Sequence, residues 1–185
     1  MRAEWIAIAV LAVIAIYAFI VFNRLIRARN QVREGWSGID VQLRRRSDLV
    51  PNLVEAVKGY AAHERALFDD IAAKRTSVLN AGSVSSRAAA EAELQASIHK
   101  MLAVAEAYPA LKANANFLEL QHQLADLEDQ LQLARRYYNG TVRDYNISIQ
   151  SFPDVLLASI TGFHEEHFFQ TEDTAVPSVA FEART

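Results

Sequence analysis

Residues 5–22 read Trp-Ile-Ala-Ile-Ala-Val-Leu-Ala-Val-Ile-Ala-Ile-Tyr-Ala-Phe-Ile-Val-Phe (Trp5–Phe22), a run without charge, proline or glycine in which only Tyr17 carries a strong polar handle. As a helix rising ~1.5 Å per residue it spans about 27 Å, close to a bilayer's hydrocarbon thickness of roughly 30 Å. A buried core helix would need partners on every face, because apolar residues circle this one completely. A cleaved signal peptide would have a shorter apolar region and a small-residue cleavage site, whereas this run passes into Asn23-Arg24-Leu25-Ile26-Arg27. The stretch therefore predicts an uncleaved membrane anchor.

Orientation follows from the flanks. Arg2 and Glu4 precede the run, and Arg24, Arg27, Arg29 and Arg33 follow it. The side richer in Lys/Arg stays cytoplasmic as a rule, so the N-terminus is expected outside and the rest of the chain in the cytoplasm. Lipid attachment through cysteine is excluded, since there is no cysteine. Arg24, Arg27 and Arg29 are the candidate membrane-interface residues, each able to meet acidic headgroups for ~1 kcal/mol.

Beyond the anchor about 160 residues remain, enough for one domain with a single core. The 19 Lys+Arg and 22 Asp+Glu give a net charge of −3, with Glu165, Glu166, Glu172, Asp173 and Glu182 late in the chain. No nucleic-acid partner is expected of that balance. Six glycines and four prolines among abundant Ala, Leu, Glu, Gln and Arg describe a helical chain with few turns.

Apolar residues keep a 3,4 spacing after the anchor: Leu25, Val32, Trp36, Ile39, Leu43, then Val50, Leu53, Val57, Tyr60, Leu67 and Ile71. Arg29, Arg46 and Glu64 interrupt the stripe. Such a seam lets one helix lie along another at a shallow angle. Pro51 falls inside it, where proline removes a hydrogen bond. Arg44–Arg46 suit a helix end and Ser47-Asp48 a helix start, yet the seam stays in phase across the proline and no glycine or asparagine marks a tight reversal. The expectation is a continuous, kinked helix running past Glu64.

A turn is predicted at residues 80–86, with Ser85 or Ser86 capping a helix over roughly 87–107 that presents Leu94, Ile98, Met101, Ala105 and Tyr108. Pro109 predicts a break. The strongest periodicity follows, in Phe117, Leu120, Leu124, Leu127, Leu131, Ala134 and Tyr138, with a 4,4 step onward to Val142, Tyr145, Ile149 and Phe152. That extra step is a stutter, which locally unwinds a supercoil. Trp36, Ile39, Leu43, Leu53, Val57, Tyr60, Leu120, Leu124, Leu127, Leu131, Tyr138 and Tyr145 form the expected packing seam. A short apolar piece after Pro153 leads to an acidic, aromatic tail, mobile in its last dozen residues.

The runs Arg29-Asn30-Gln31-Val32, Trp36-Ser37-Gly38-Ile39-Asp40-Val41-Gln42-Leu43-Arg44-Arg45-Arg46-Ser47-Asp48-Leu49-Val50-Pro51-Asn52-Leu53-Val54 and Val57-Lys58-Gly59-Tyr60-Ala61-Ala62-His63-Glu64 resemble the LemA family of bacterial membrane proteins. Ala105-Glu106-Ala107-Tyr108-Pro109-Ala110-Leu111-Lys112-Ala113-Asn114, Ala134-Arg135-Arg136-Tyr137-Tyr138-Asn139, Tyr145-Asn146 and Ser151-Phe152-Pro153 continue the likeness. The resemblance implies a bacterial source, one N-terminal membrane helix, an outward N-terminus and a cytoplasmic antiparallel bundle. It brings no catalytic mechanism. Gly35 stands where the resemblance leads one to expect alanine, which weakens the helix locally.

His164-Glu165-Glu166-His167 falls short of the zincin patterns, and His63-Glu64 has no second histidine four residues after the first. No phosphate-cradling glycine loop or cysteine nucleophile is present, so neither enzyme activity, metal nor cofactor is expected. Arg44–Arg46 would stand about 34 Å beyond Phe22, several Debye lengths of ~8 Å from the membrane, so ion pairing explains them better than lipid.

The expected fold is all-α: a transmembrane helix continuing into an antiparallel bundle of three long helices with a Pro51 kink, or alternatively a four-helix up-and-down bundle. The expected divisions are an anchor over residues 1–23, a bundle over 24–169 and a mobile acidic tail over 170–185. The leading function is a membrane-anchored scaffold of the bacterial inner membrane, single-pass, with the lipid bilayer and further copies of itself as partners, organising membrane or partner proteins. The alternative is an accessory subunit of a membrane protease or transport system, docking as a monomer.

Overall fold

The computed structural model describes residues 2–169. Among them every regular element is a helix: α1 (Arg2–Lys58), α2 (Arg65–Asn80), α3 (Val84–Ala105), α4 (Pro109–Lys112), α5 (Ala115–Gln150) and α6 (Asp154–Thr161). The tail expected over 170–185 lies outside the described residues. The described chain forms two compact units, one from residues 2–43 and 126–168, the other from residues 44–125.

α1 is helical through Pro51, so the chain does not reverse at Ser47–Pro51. It stops at Lys58, however, and Glu64 does not belong to it. Gly59 weakens the helix at that point, the Tyr60 and Ala61 amides both turn back to the Val57 carbonyl at 2.9 Å, and Ala61 is buried. Leu67 and Ile71, which extend the sequence periodicity, lie instead on α2.

The helix tolerates Pro51 for a specific reason. Without an N–H, proline leaves the carbonyl four residues earlier, that of Ser47, without its helical donor. Arg75 on α2 supplies one, its Nε donating to the Ser47 oxygen at 2.6 Å.

In the unit of residues 44–125, α2 and α3 pack through Phe68, Ile71 and Val78 against Leu94, Ile98 and Met101, all buried. The seam of α1 here is Val50, Leu53 and Val57, with Arg46 at the position an apolar residue would occupy. Arg46 is buried and forms an ion pair with the equally buried Glu91 of α3. α3 is capped by Ser83, two residues before the first expected cap: Ser83 accepts from the Ser86 amide and Ser86 Oγ accepts from the Ser83 amide. Asn114 caps α5 by accepting from the amides of Asn116 and Phe117.

In the unit of residues 2–43 and 126–168, α1 and α5 run antiparallel. The Trp36 and Tyr138 rings meet at 5.8 Å, while Tyr17 and Arg24 reach Asp154 just beyond α5. Gly35 is buried at a close approach of the two backbones: a Cβ there would lie 3.2 Å from the Tyr138 Cα. Close approach, not helix propensity, accounts for glycine at this position.

Arg75→Met is expected to destabilise the protein by about 1–3 kcal/mol, because it leaves a buried carbonyl without a donor. With Pro51→Ala also present, the alanine amide restores the helical bond, and the cost of Arg75→Met should shrink. A double-mutant cycle read by denaturant unfolding checks this coupling.

Candidate functional site

The apolar run of α1 is exposed on all sides, with 6% of its most apolar 18-residue window buried. Protein contacts begin at its last turns. The Tyr17 hydroxyl donates to Asp154 Oδ1 at 3.0 Å, and the Arg24 guanidinium pairs with the other oxygen of the same carboxylate. Asp154 is buried and opens α6, where the helix N-terminus also favours its negative charge. Between Tyr17 and Arg24 the Phe22 ring meets Phe163 edge-on at 5.9 Å, and Arg29, further along α1, stands 5.2 Å above the same ring. Arg29 thus occupies a seam position and is held there by a cation–π contact.

After α6 the left-handed Gly162 (φ 72°) turns the chain, and residues 163–168 return along α5 in extended form. The Tyr145 hydroxyl donates to the His164 carbonyl at 2.9 Å and the Tyr138 hydroxyl to the His167 carbonyl at 2.8 Å. Asn146 grips Glu166 at both backbone atoms, donating to its carbonyl at 2.9 Å and accepting from its amide at 3.0 Å. Gln150 donates to the Glu165 carboxylate at 2.8 Å. Residues 138, 145 and 146 share one helix face, so a single face of α5 provides an unpaired strand with the partners a sheet would give. Burial, and then the charge of Glu166, push the Tyr138 hydroxyl up to about 12. The same causes raise Tyr145, with Arg29 opposing.

The His164–His167 segment is therefore a docked strap. Its backbone is what the fold uses. Among the described residues no three His, Cys, Asp or Glu side chains gather as metal ligands.

Between α2 and α3, Lys74 donates to the buried Ser97 hydroxyl at 2.8 Å, and Ser97 donates to Asp70 at 2.6 Å. A serine beside a lysine invites comparison with serine–lysine catalysis, which needs a neutral lysine as base. Here Asp70 lies 3.1 Å from Lys74 and forms an ion pair with it. The bond from Ser97, followed by that from Lys74, lowers the Asp70 pKa. The cluster is a satisfied polar link between helices.

Of the expected seam, Ile39, Leu43, Leu53, Val57, Leu124, Leu131, Tyr138 and Tyr145 are buried, Trp36, Leu120 and Leu127 half-buried, and Tyr60 exposed, its hydroxyl accepting from Asn114 at 3.4 Å. Of the expected interface arginines, Arg24 and Arg27 are exposed and Arg29 half-buried. Arg27 donates to the Asn23 carbonyl. Asp154, the strap and the Arg75 contact escaped sequence reasoning. Tyr138, Tyr145 and Asn146 at spacings of seven and one were the available signal for the strap.

A family model described as the LemA family matches residues 35–181. Magnetosome proteins MamQ 1 and MamQ 2 of Paramagnetospirillum magneticum are each 28% identical over 195 residues, covering 89% of this chain and 72% of the relative. Magnetosome protein MamQ of Magnetospirillum gryphiswaldense is 26% identical over 192 residues, covering 89% and 71%. Together with the exposed apolar run of α1, these matches mark a membrane-associated chain.

Tyr138→Phe and Tyr145→Phe should each cost about 1 kcal/mol and raise amide exchange in residues 164–167, the pair together freeing the strap. The fold favours the protonated phenol of Tyr138, so its contribution is complete below the unfolded pKa of about 10 and lost as pH rises toward 12. Hydrogen exchange and thermal melts across pH 8–12, compared with Tyr138→Phe, check the sign.

Proposed function

The chain belongs to the LemA family, and from that premise we propose that it is a membrane-anchored helical scaffold that self-associates in the bacterial inner membrane and organises membrane or partner proteins without catalysis. The observation that carries this reading is the change of character along α1. Its apolar run is exposed on every face, whereas from Val21 onward one stripe alone is buried: Val21, Leu25, Val32, Ile39 and Leu43. A helix that is apolar all round needs lipid, and a striped one needs helices.

Self-association draws support from apolar side chains left uncovered in the unit of residues 2–43 and 126–168. Val41 on α1 and Leu133 and Tyr137 on α5 remain exposed, and two long helices cannot enclose each other's flanks. The resemblance to magnetosome proteins supports a role at a membrane. The arginines after the run support a cytoplasmic bundle.

In nanodiscs or mild detergent, the protein component should have a mass at a multiple of 20.7 kDa. A strictly monomeric mass across micromolar concentrations would replace the scaffold with a docking subunit. For topology, Gly82→Cys is suited, being exposed and one residue before the Ser83 cap. It should resist impermeant thiol reagents in intact cells and react once the inner membrane is opened; labelling from outside would reverse the orientation.

A further inference from the structure

We propose that the corner joining α5 to α6 is a second lipid-binding surface, an apolar edge that enters the bilayer interface beside the end of the α1 span. The inference rests on the reading of α1 as a membrane span and adds to it a site elsewhere in the chain. Three large apolar side chains project from this corner: Phe152 is 81% exposed, Leu156 59% and Ile160 83%. Leu156 and Ile160 stand one turn apart on α6, on a face separate from that of Asp154 and Ala158, which are buried. From Ser151 to Phe163 the sole charged side chain is Asp154, and Arg24 neutralises it.

What covers this edge follows from where it is fastened. Asp154 is bonded to both Tyr17 and Arg24. Those residues are seven apart on α1, about 10 Å along the axis, and the apolar run ends at Phe22 between them. α6 therefore starts level with the boundary of the span, beside the end of an all-apolar helix surface. An interfacial helix buries its apolar face about 5–10 Å into the headgroup boundary, the depth over which Tyr17 to Arg24 extends. The same carboxylate explains how α6 can lie there: its charge is shared with a guanidinium at headgroup level instead of entering hydrocarbon unpaired.

The chain has no cysteine, so single nitroxide labels can be placed in the full protein held in lipid nanodiscs. Leu156→Cys and Ile160→Cys test the corner, Ile14→Cys the span, and Leu118→Cys an exposed site on α5. The labels at 156 and 160 should collide preferentially with oxygen, as the label at 14 does, and the label at 118 with a water-soluble nickel chelate. Nickel access at 160 with position 14 protected overturns the inference and leaves the span standing. Exclusion of both reagents at 160 also overturns it, since a protein surface then covers the edge. Nickel access at 14 overturns the span and the inference together.

Discussion

The bond from Arg75 Nε to the Ser47 carbonyl stands where Pro51 leaves the ladder of α1 one donor short. A helix can leave a lipid-like environment for a protein one without interruption because its backbone bonds are internal, so only the side chains have to change. That economy fails at a proline, and a failed ladder is where a long helix folds back. By filling the vacancy from α2, the protein keeps α1 helical to Lys58 and keeps its seam in phase. Positions 36, 43, 50 and 57, with 32, 39, 46 and 53, remain two interleaved rows seven residues apart.

Charge within that seam sets register. Arg29 and Arg46 both sit where an apolar residue would fit, and each meets a group that suits it: the ring of Phe163 for Arg29 and the buried carboxylate of Glu91 for Arg46. A buried ion pair adds little net stability over an apolar pair of the same shape, but a helix shifted by one turn would strand two charges, at a cost of several kcal/mol. The apolar seam makes the helices adhere; the two arginines decide where along their length. Asp154 acts alike on a shorter element, binding the start of α6 to Tyr17 and Arg24.

Helices and their buried faces were legible from periodicity because each is a local repeat: α3 begins three residues before expectation, and Leu94, Ile98, Met101 and Ala105 are all buried. The passage of α1 through Pro51 was legible for the same reason. What periodicity cannot register is a stop that preserves phase, and Leu67 and Ile71 extend the seam's spacing across the Gly59 turn by coincidence. Contacts between distant residues were invisible too. Arg75 and Ser47 are 28 positions apart, Tyr17 and Asp154 137, and no local repeat connects the members of either pair. At His164–His167 side-chain chemistry drew attention to a possible metal, whereas the fold uses the carbonyls and an amide, which every sequence possesses.

The strap also solves a problem of numbers. The unit of residues 44–125 has three long helical segments besides the start of α5 with which to enclose a core, while the unit of residues 2–43 and 126–168 has two. Two helices cover only one face of each other, and Gly35 brings them so close that no bulky side chain fits at their crossing. The large rings of Tyr138 and Tyr145 need a third wall. An extended segment can be that wall only if its polar backbone is satisfied, and the hydroxyls of those same two tyrosines, with Asn146, satisfy it. One set of side chains is thus both the core and the reason the core closes. A wall fastened by a few hydrogen bonds opens more readily than one held by a packed helix, which makes the strap the low-stability segment of its unit.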